Sequence, residues 1–341
     1  MYCTFLKRMG MYSIFRMRMK GQESMQSQSF LSRLQGLPMP ILPAMLGFAT
    51  LSNVWAGAGY HWVGHIAMSI AAFVWLLYMV KIFFHGRVCA KEYAGTVPSS
   101  LYSAFFMLAM SLSAWFSEWL YAPARMIYIA AVALHAIHIV VFTIRHVLRG
   151  IQVETFMPTW FVTYVGITVS TVVGGVFDFP VFPTFLVYYG LIIYAVLTFF
   201  LILRLQKHPV PGATMHSRAI MMAPCSLLLV SYLNVIQNPN PYVVGVLYAL
   251  IFIMLIYALG KIPLFFSVAF HPGFASLTFP MAIATVASFR VADYLLHQGH
   301  VGPAAAITQF AGIQMYLSTA VIGFVVFNFA RMGVKSLKSP S

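Results

Sequence analysis

The sequence predicts an all-α polytopic membrane protein, with ten transmembrane helices arranged as five parallel-repeat helical hairpins and five inner helices around a pore. Three observations carry that expectation. First, 61% of the 341 residues are hydrophobic and 8% are charged, whereas a soluble domain is about 25% charged. Second, the apolar residues gather into ten runs near 37–58, 62–84, 98–118, 123–146, 156–177, 179–203, 217–236, 241–263, 273–293 and 302–330. Each is close to the roughly 20 residues that cross a hydrocarbon core. Third, of the 20 Lys and Arg residues, all but Arg125 and Arg290 lie on one side of those runs. Basic loops stay in the cytoplasm, so both termini are expected inside, in a multi-pass protein of the cell inner (plasma) membrane.

The elements follow in order. Residues 1–35 form a basic cytoplasmic segment carrying Lys7, Arg8, Arg16, Arg18, Lys20 and Arg33. It has no apolar region long enough for a cleavable secretory signal. It is either a basic amphipathic surface segment or the product of a start codon placed too early, with Met25 or another early Met as the beginning. The ten-helix transport domain occupies 36–331, and 332–341 is a short cytoplasmic tail. Within the domain every odd span carries proline: Pro38 and Pro43, Pro98, Pro158, Pro224, and Pro272 with Pro280, a recurrence of about 60 residues. That period is one helical hairpin with its connections. Hairpins that all start inside are parallel repeats about an axis normal to the membrane. Proline frees a carbonyl and bends a helix, so Pro43, Pro98, Pro158, Pro224 and Pro280 are the expected kinks of an inner ring.

Side-chain size separates the same two sets. The first span, LPMPILPAMLGFATLSNVW, is rich in small residues such as Ala44, Gly47, Thr50 and Ser52. The third, fifth, seventh and ninth spans continue the pattern with Ser, Thr and Gly. Even spans such as LVYYGLIIYAVLTFFLILRL are bulky and aromatic, as outer, lipid-facing helices should be. Small residues also let helices pack closely without any pore. Joined to the proline repeat, they favour a substrate path, with Thr50, Ser103, Thr163, Gly166, Thr168, Ser226 and Ser276 as its lining candidates.

The chemistry of such a path points to anions. No Asp or Glu falls inside an odd span; Glu118, Asp178 and Asp293 sit toward the outer ends, where a structural or interfacial role is expected. A carboxylate at mid-membrane is common in cation and proton-coupled carriers, so its absence favours an anion or a neutral substrate. Hydroxyls, backbone amides and basic mouths ease a partly hydrated anion through. The formal charge of +14 follows from topology and anionic inner-leaflet lipid, and no nucleic-acid partner is expected. Cys3, Cys89 and Cys225 form no CxxC pair, so neither a disulfide framework nor a zinc site is indicated. His135 and His138 are three apart on the fourth span, a spacing that can ligate metal. No third ligand is near, and satisfied core histidines are expected there. No GxSxG, HExxH, DxD or phosphate-loop motif is present. Enzyme activity, catalytic residues, bound metal and cofactors are therefore not expected.

The ninth span, HPGFASLTFPMAIATVASF, places Phe279 directly before Pro280. A bulky ring at a bend of an inner helix either plugs a narrow path by excluding water or packs ordinarily on a neighbour. Four stretches, LPMPILPAMLGFATLSNVW, PTWFVTYVGITVS, APCSLLLVSYL and LTFPMAIAT, resemble the tellurite-resistance/dicarboxylate transporter family. That family includes bacterial tellurite-resistance protein A, yeast malate and sulfite permeases and plant slow anion channels. The resemblance implies a homotrimer in the bilayer, each protomer with its own pore, and Phe279 as the gate. The expected function is a channel or transporter for small inorganic or organic anions of the chloride, nitrate, sulfite or C4-dicarboxylate class. The alternative is a proton-coupled efflux carrier for a weak acid or oxyanion such as tellurite or malate.

Overall fold

The computed structural model describes residues 30–208 and 212–338. The basic segment 1–29, with the question of its start, lies outside the described residues. Among those described, every regular element is a helix. Eight helices are long and apolar enough to cross a membrane, and two shorter apolar ones accompany them. In chain order they are α1 (Ile41–Gly57), α2 (His61–Phe84), α3 (Thr96–Phe116), α4 (Tyr121–Leu148), α5 (residues 160–177), α6 (Phe182–Lys207), α7 (Met215–Val235), α8 (Pro241–Phe265), α9 (Pro272–His297) and α10 (Val301–Lys338). An additional short helix, Gly86–Ala94, joins α2 to α3. α10 runs on through 332–338, beyond the expected end of its span.

The odd helices close a ring. α1 packs against α3, α3 against α5, α5 against α7, α7 against α9, and α9 back against α1. Hydroxyl bonds tie neighbours at matching height. Ser103 Oγ donates to Thr163 Oγ1 at 3.3 Å across 60 residues of chain, and Ser231 Oγ to the Thr168 carbonyl at 3.3 Å across 63. Separations this similar, each close to one hairpin, are what parallel repeats produce. Each even helix lies outside the ring against its odd neighbours. The most apolar stretches of α3, α7 and α9 are 72–78% buried, whereas those of the even helices are 22–39% buried. Exposed rings such as Phe73, Phe83, Phe185 and Phe199 cover the outer helices, the surface that hydrocarbon solvates at no cost to backbone hydrogen bonding.

α5 is not the continuous helix its length suggests. It is broken into Trp160–Tyr164, a 3₁₀ turn at Gly166–Thr168, Val169–Val173 and a further 3₁₀ turn at Gly174–Phe177. β-Branched residues and glycine disfavour an α-helix. The hydroxyls add a local reason, because Thr168, Ser170 and Thr171 each donate three residues back, at 2.7–2.8 Å. Such bonds compete with the regular ladder and suit 3₁₀ geometry.

The prolines act at helix starts. Pro43, Pro98, Pro224 and Pro280 are each the third residue of an α-helical stretch, beginning at Ile41, Thr96, Met222 and Thr278. The first N–H groups of a helix have no internal acceptor, so proline there removes no bond. In α7 and α9 the stretch follows a 3₁₀ segment, Gly212–Met221 and Pro272–Leu277. In these two helices the change of helix type falls two residues before the proline. Pro158 stands in the turn two residues before Trp160.

One buried ion pair fastens the outer layer. Lys81, fully buried on α2, donates to Glu92 Oε1 at 2.7 Å and to the Leu37 carbonyl at 2.8 Å. Tyr102 on α3 donates to the other Glu92 oxygen at 2.8 Å. A buried charge is tolerated when paired and hydrogen-bonded in this way.

Candidate permeation site

Two cavities lie on the axis of the ring, and each is lined by all five odd helices. The proximal cavity, at the end where the odd helices start, has a volume of about 200 Å³. Its wall includes Pro43 and Leu46 of α1, Ala104 and Met107 of α3, Phe161 and Gly166 of α5, Ala223 and Pro224 of α7, and Ser276 of α9. The distal cavity is larger, about 580 Å³, and more polar. Thr50 and Asn53, Ser111 and Glu118, Val172, Val230, Arg290 and Asp293 are among its lining residues. Phe279 and Leu227 line both cavities. These two side chains form the septum between them.

The sequence of α1 and α9 explains how the septum is held. Thr278 Oγ1 donates to the Pro43 carbonyl at 3.1 Å and to the Ala275 carbonyl at 2.8 Å. Gly47 then lets the two backbones touch, because a Cβ there would lie 2.5 Å from the Phe279 nitrogen and 2.6 Å from the Thr278 carbonyl carbon. Phe279 is 8% exposed and belongs to the buried apolar core, while also bordering both cavities. A second glycine serves α5. A Cβ on Gly166 would meet Met107 Sδ at 2.7 Å and His135 Cε1 at 3.3 Å.

The lining candidates named from the sequence divide. Thr50 lines the distal cavity, and Gly166 and Ser276 the proximal one. Ser103, Thr163, Thr168 and Ser226 are fully buried and line neither. The first three bond within or between ring helices as described, and Ser226 Oγ donates to the Met222 carbonyl at 2.7 Å. Of the prolines, Pro43, Pro224 and Pro280 line the proximal cavity, whereas Pro98 and Pro158 do not. Glu118 and Asp293 sit on the distal wall with Arg290. Leu227 and Gly47 carried no signal beyond ordinary apolar or small character.

The paired histidines of α4 lie outside the ring. His135 Nε2 donates to the Thr163 carbonyl at 2.9 Å, and His138 Nδ1 bonds the Tyr93 hydroxyl at 2.7 Å. Each keeps one buried ring nitrogen without a partner among the described residues. No group of three or more metal-ligating side chains occurs among the described residues.

A family profile described as voltage-dependent anion channel matches residues 37–332. The chain belongs to that family. The match spans both cavities and all ten helical segments of the ring and its surround. This member of the anion channel family is therefore a multi-pass membrane channel or transporter for anions. No curated protein matches the chain.

Proposed function

We propose that the protein passes small anions along the ring axis, from one cavity to the other, with the Phe279 ring as the gate. The observation that supports this reading is that Phe279 and Leu227 are the residues common to the linings of two cavities walled by the same five helices. Phe279 borders both cavities, so a displacement of its ring is the smallest change that would join them. The proximal wall is largely apolar and the distal wall more polar, and dewetting at an apolar constriction suffices to close such a route. The proximal end is the cytoplasmic one, because the basic connections cluster there. Each protomer of a homotrimer in the cell inner membrane holds one such path, as the family resemblance implies. Chloride, nitrate, sulfite and C4-dicarboxylates are the substrate candidates.

Anion flux into liposomes tests the gate. Phe279→Ala should raise nitrate and chloride flux by about tenfold or more, the factor that about 1.4 kcal/mol of bias toward the closed state conceals. Equal flux in both proteins removes Phe279 from the gate, and no flux in either removes the path.

A further inference from the structure

His216 and His271, in the lead-ins to α7 and α9, both line the proximal cavity. Their ring centroids are 4.8 Å apart with the planes at 77°. A carbonyl only accepts, so the 3.0 Å contact between His216 Nε2 and the Phe265 carbonyl puts the proton of the neutral ring on Nε2. Nδ1 is then a bare acceptor. It is buried without a hydrogen-bond partner among the described residues, on a residue only 1% exposed. Thr159 Oγ1, from a residue just before α5 that lines the same cavity, is likewise buried and unpartnered. His271 is held differently. Its Nδ1 accepts the Gly273 N–H at 3.2 Å, so its Nε2 carries the proton. Each unpartnered buried polar group costs about 1–3 kcal/mol, and these two belong to residues of one cavity wall, where an entering ligand would complete their bonds.

The chemistry of the wall selects that ligand. The cavity is otherwise largely apolar, and no carboxylate is among the described residues that line it. Protonation of Nδ1 creates an imidazolium, and a buried charge is costly unless paired. Its counter-ion must come from solution, as an anion. An arriving anion in turn faces a lone pair on Nδ1 until that nitrogen is protonated. Proton and anion therefore favour each other's binding. We propose that His216, His271 and Thr159 form a proton-linked binding site for a small carboxylate or oxyanion in the proximal cavity. The donors are the Nδ1–H of protonated His216, the Nε2–H of His271 and the Thr159 hydroxyl. The site rests on reading the cavities as an anion path.

The His216 segment packs on the 3₁₀ lead-in of α9 and on α7, α8 and α9. His271 is the titratable ring in contact with it. Arg218 follows on the same segment, Cys225 and Tyr232 are on α7, and Tyr248, Tyr257 and Lys261 are on α8. Lys261 Nζ lies over the Tyr257 ring at 6.0 Å. Arg290 and Asp293 of α9 belong to the distal cavity, and Tyr294 and His297 follow them at the same end of the helix.

Calorimetric titration of nitrate and of acetate into the purified full chain, in buffers of different ionisation enthalpy, reads binding and proton uptake together. The expected result is about one proton taken up per anion near neutral pH, with affinity falling about tenfold per pH unit above the titration of the free site. His216→Gln keeps a donor for the Phe265 carbonyl and should abolish both the uptake and the pH dependence. His271→Asn keeps an acceptor for the Gly273 N–H and should weaken binding while leaving the uptake. Binding without proton uptake, uptake unchanged in His216→Gln, or no binding between about pH 5 and 8 overturns the site. If His216→Gln does not fold, the proton count of the unaltered chain decides alone. Liposome flux without proton-linked binding sinks this site and leaves the path; proton-linked binding without flux in Phe279→Ala sinks the path and leaves the site.

Discussion

Phe279 depends on a residue that has no side chain. The backbones of α1 and α9 meet at Gly47, where an added Cβ would come within 2.7 Å of Thr278 and Phe279 atoms. Those atoms are mostly backbone and cannot rotate aside, so Gly47→Ala must push the helices apart. We expect a loss of about 1–3 kcal/mol, the usual cost of overpacking, together with a leak as the ring leaves its seat. Thermal unfolding in detergent alongside liposome flux checks this, and unchanged values in both would show that the contact is soft. The sequence singled out Phe279 as bulk beside proline in a run of small residues, but left plug and ordinary packing open, and the gate role came from the family resemblance. Its partner Leu227 was not singled out, since an apolar residue on an apolar helix looks the same whether it faces a cavity or a neighbour. The hydroxyls fail for a related reason. Each residue turns a helix by about 100°, or 3.6 residues per turn, and the rotation that sends Thr50 to the distal cavity but Ser103 and Thr163 to each other is set by tertiary packing.

At the scale of elements, the period of about 60 residues marks five equivalent helix starts. The structure gives four of them one geometry, with proline at the third residue of an α-helical stretch. This fixes what replacing one should do. Proline in the interior of a helix costs about 3 kcal/mol or more, but at the third position it breaks no bond. Pro224→Ala should therefore cost only about 0.4–1 kcal/mol, through the greater freedom of the unfolded chain. The new N–H also gives the preceding 3₁₀ segment an α-helical alternative, so flux should change more than stability. A loss of several kcal/mol in thermal unfolding would mean that the ring instead holds a strained kink. The ring order was readable because size and proline content split odd from even helices. The fragmentation of α5 was not, because its apolar run is long enough to span and the competing bonds of Thr168, Ser170 and Thr171 depend on local geometry.

The whole molecule is electrically lopsided. The basic connections gather at the proximal end, while the distal cavity presents Arg290 against Glu118 and Asp293. Anions reaching the distal mouth thus meet one favourable and two unfavourable charges. A unit charge about 7 Å from the path in water is worth about 0.6 kcal/mol, or about threefold in local anion concentration. Arg290→Gln should lower anion flux in Phe279→Ala by about that factor, and Glu118→Gln or Asp293→Asn should raise it. The sign of each change follows from the field alone, so salt provides the decisive comparison. The screening length falls from about 30 Å at 0.01 M to about 3 Å at 1 M, and all three effects should shrink together as salt rises. Flux measured at both ionic strengths separates field from packing. A change that persists at high salt would mean that the substitution has reshaped the wall of the cavity, whereas one that disappears identifies the distal charges as a filter acting before the gate.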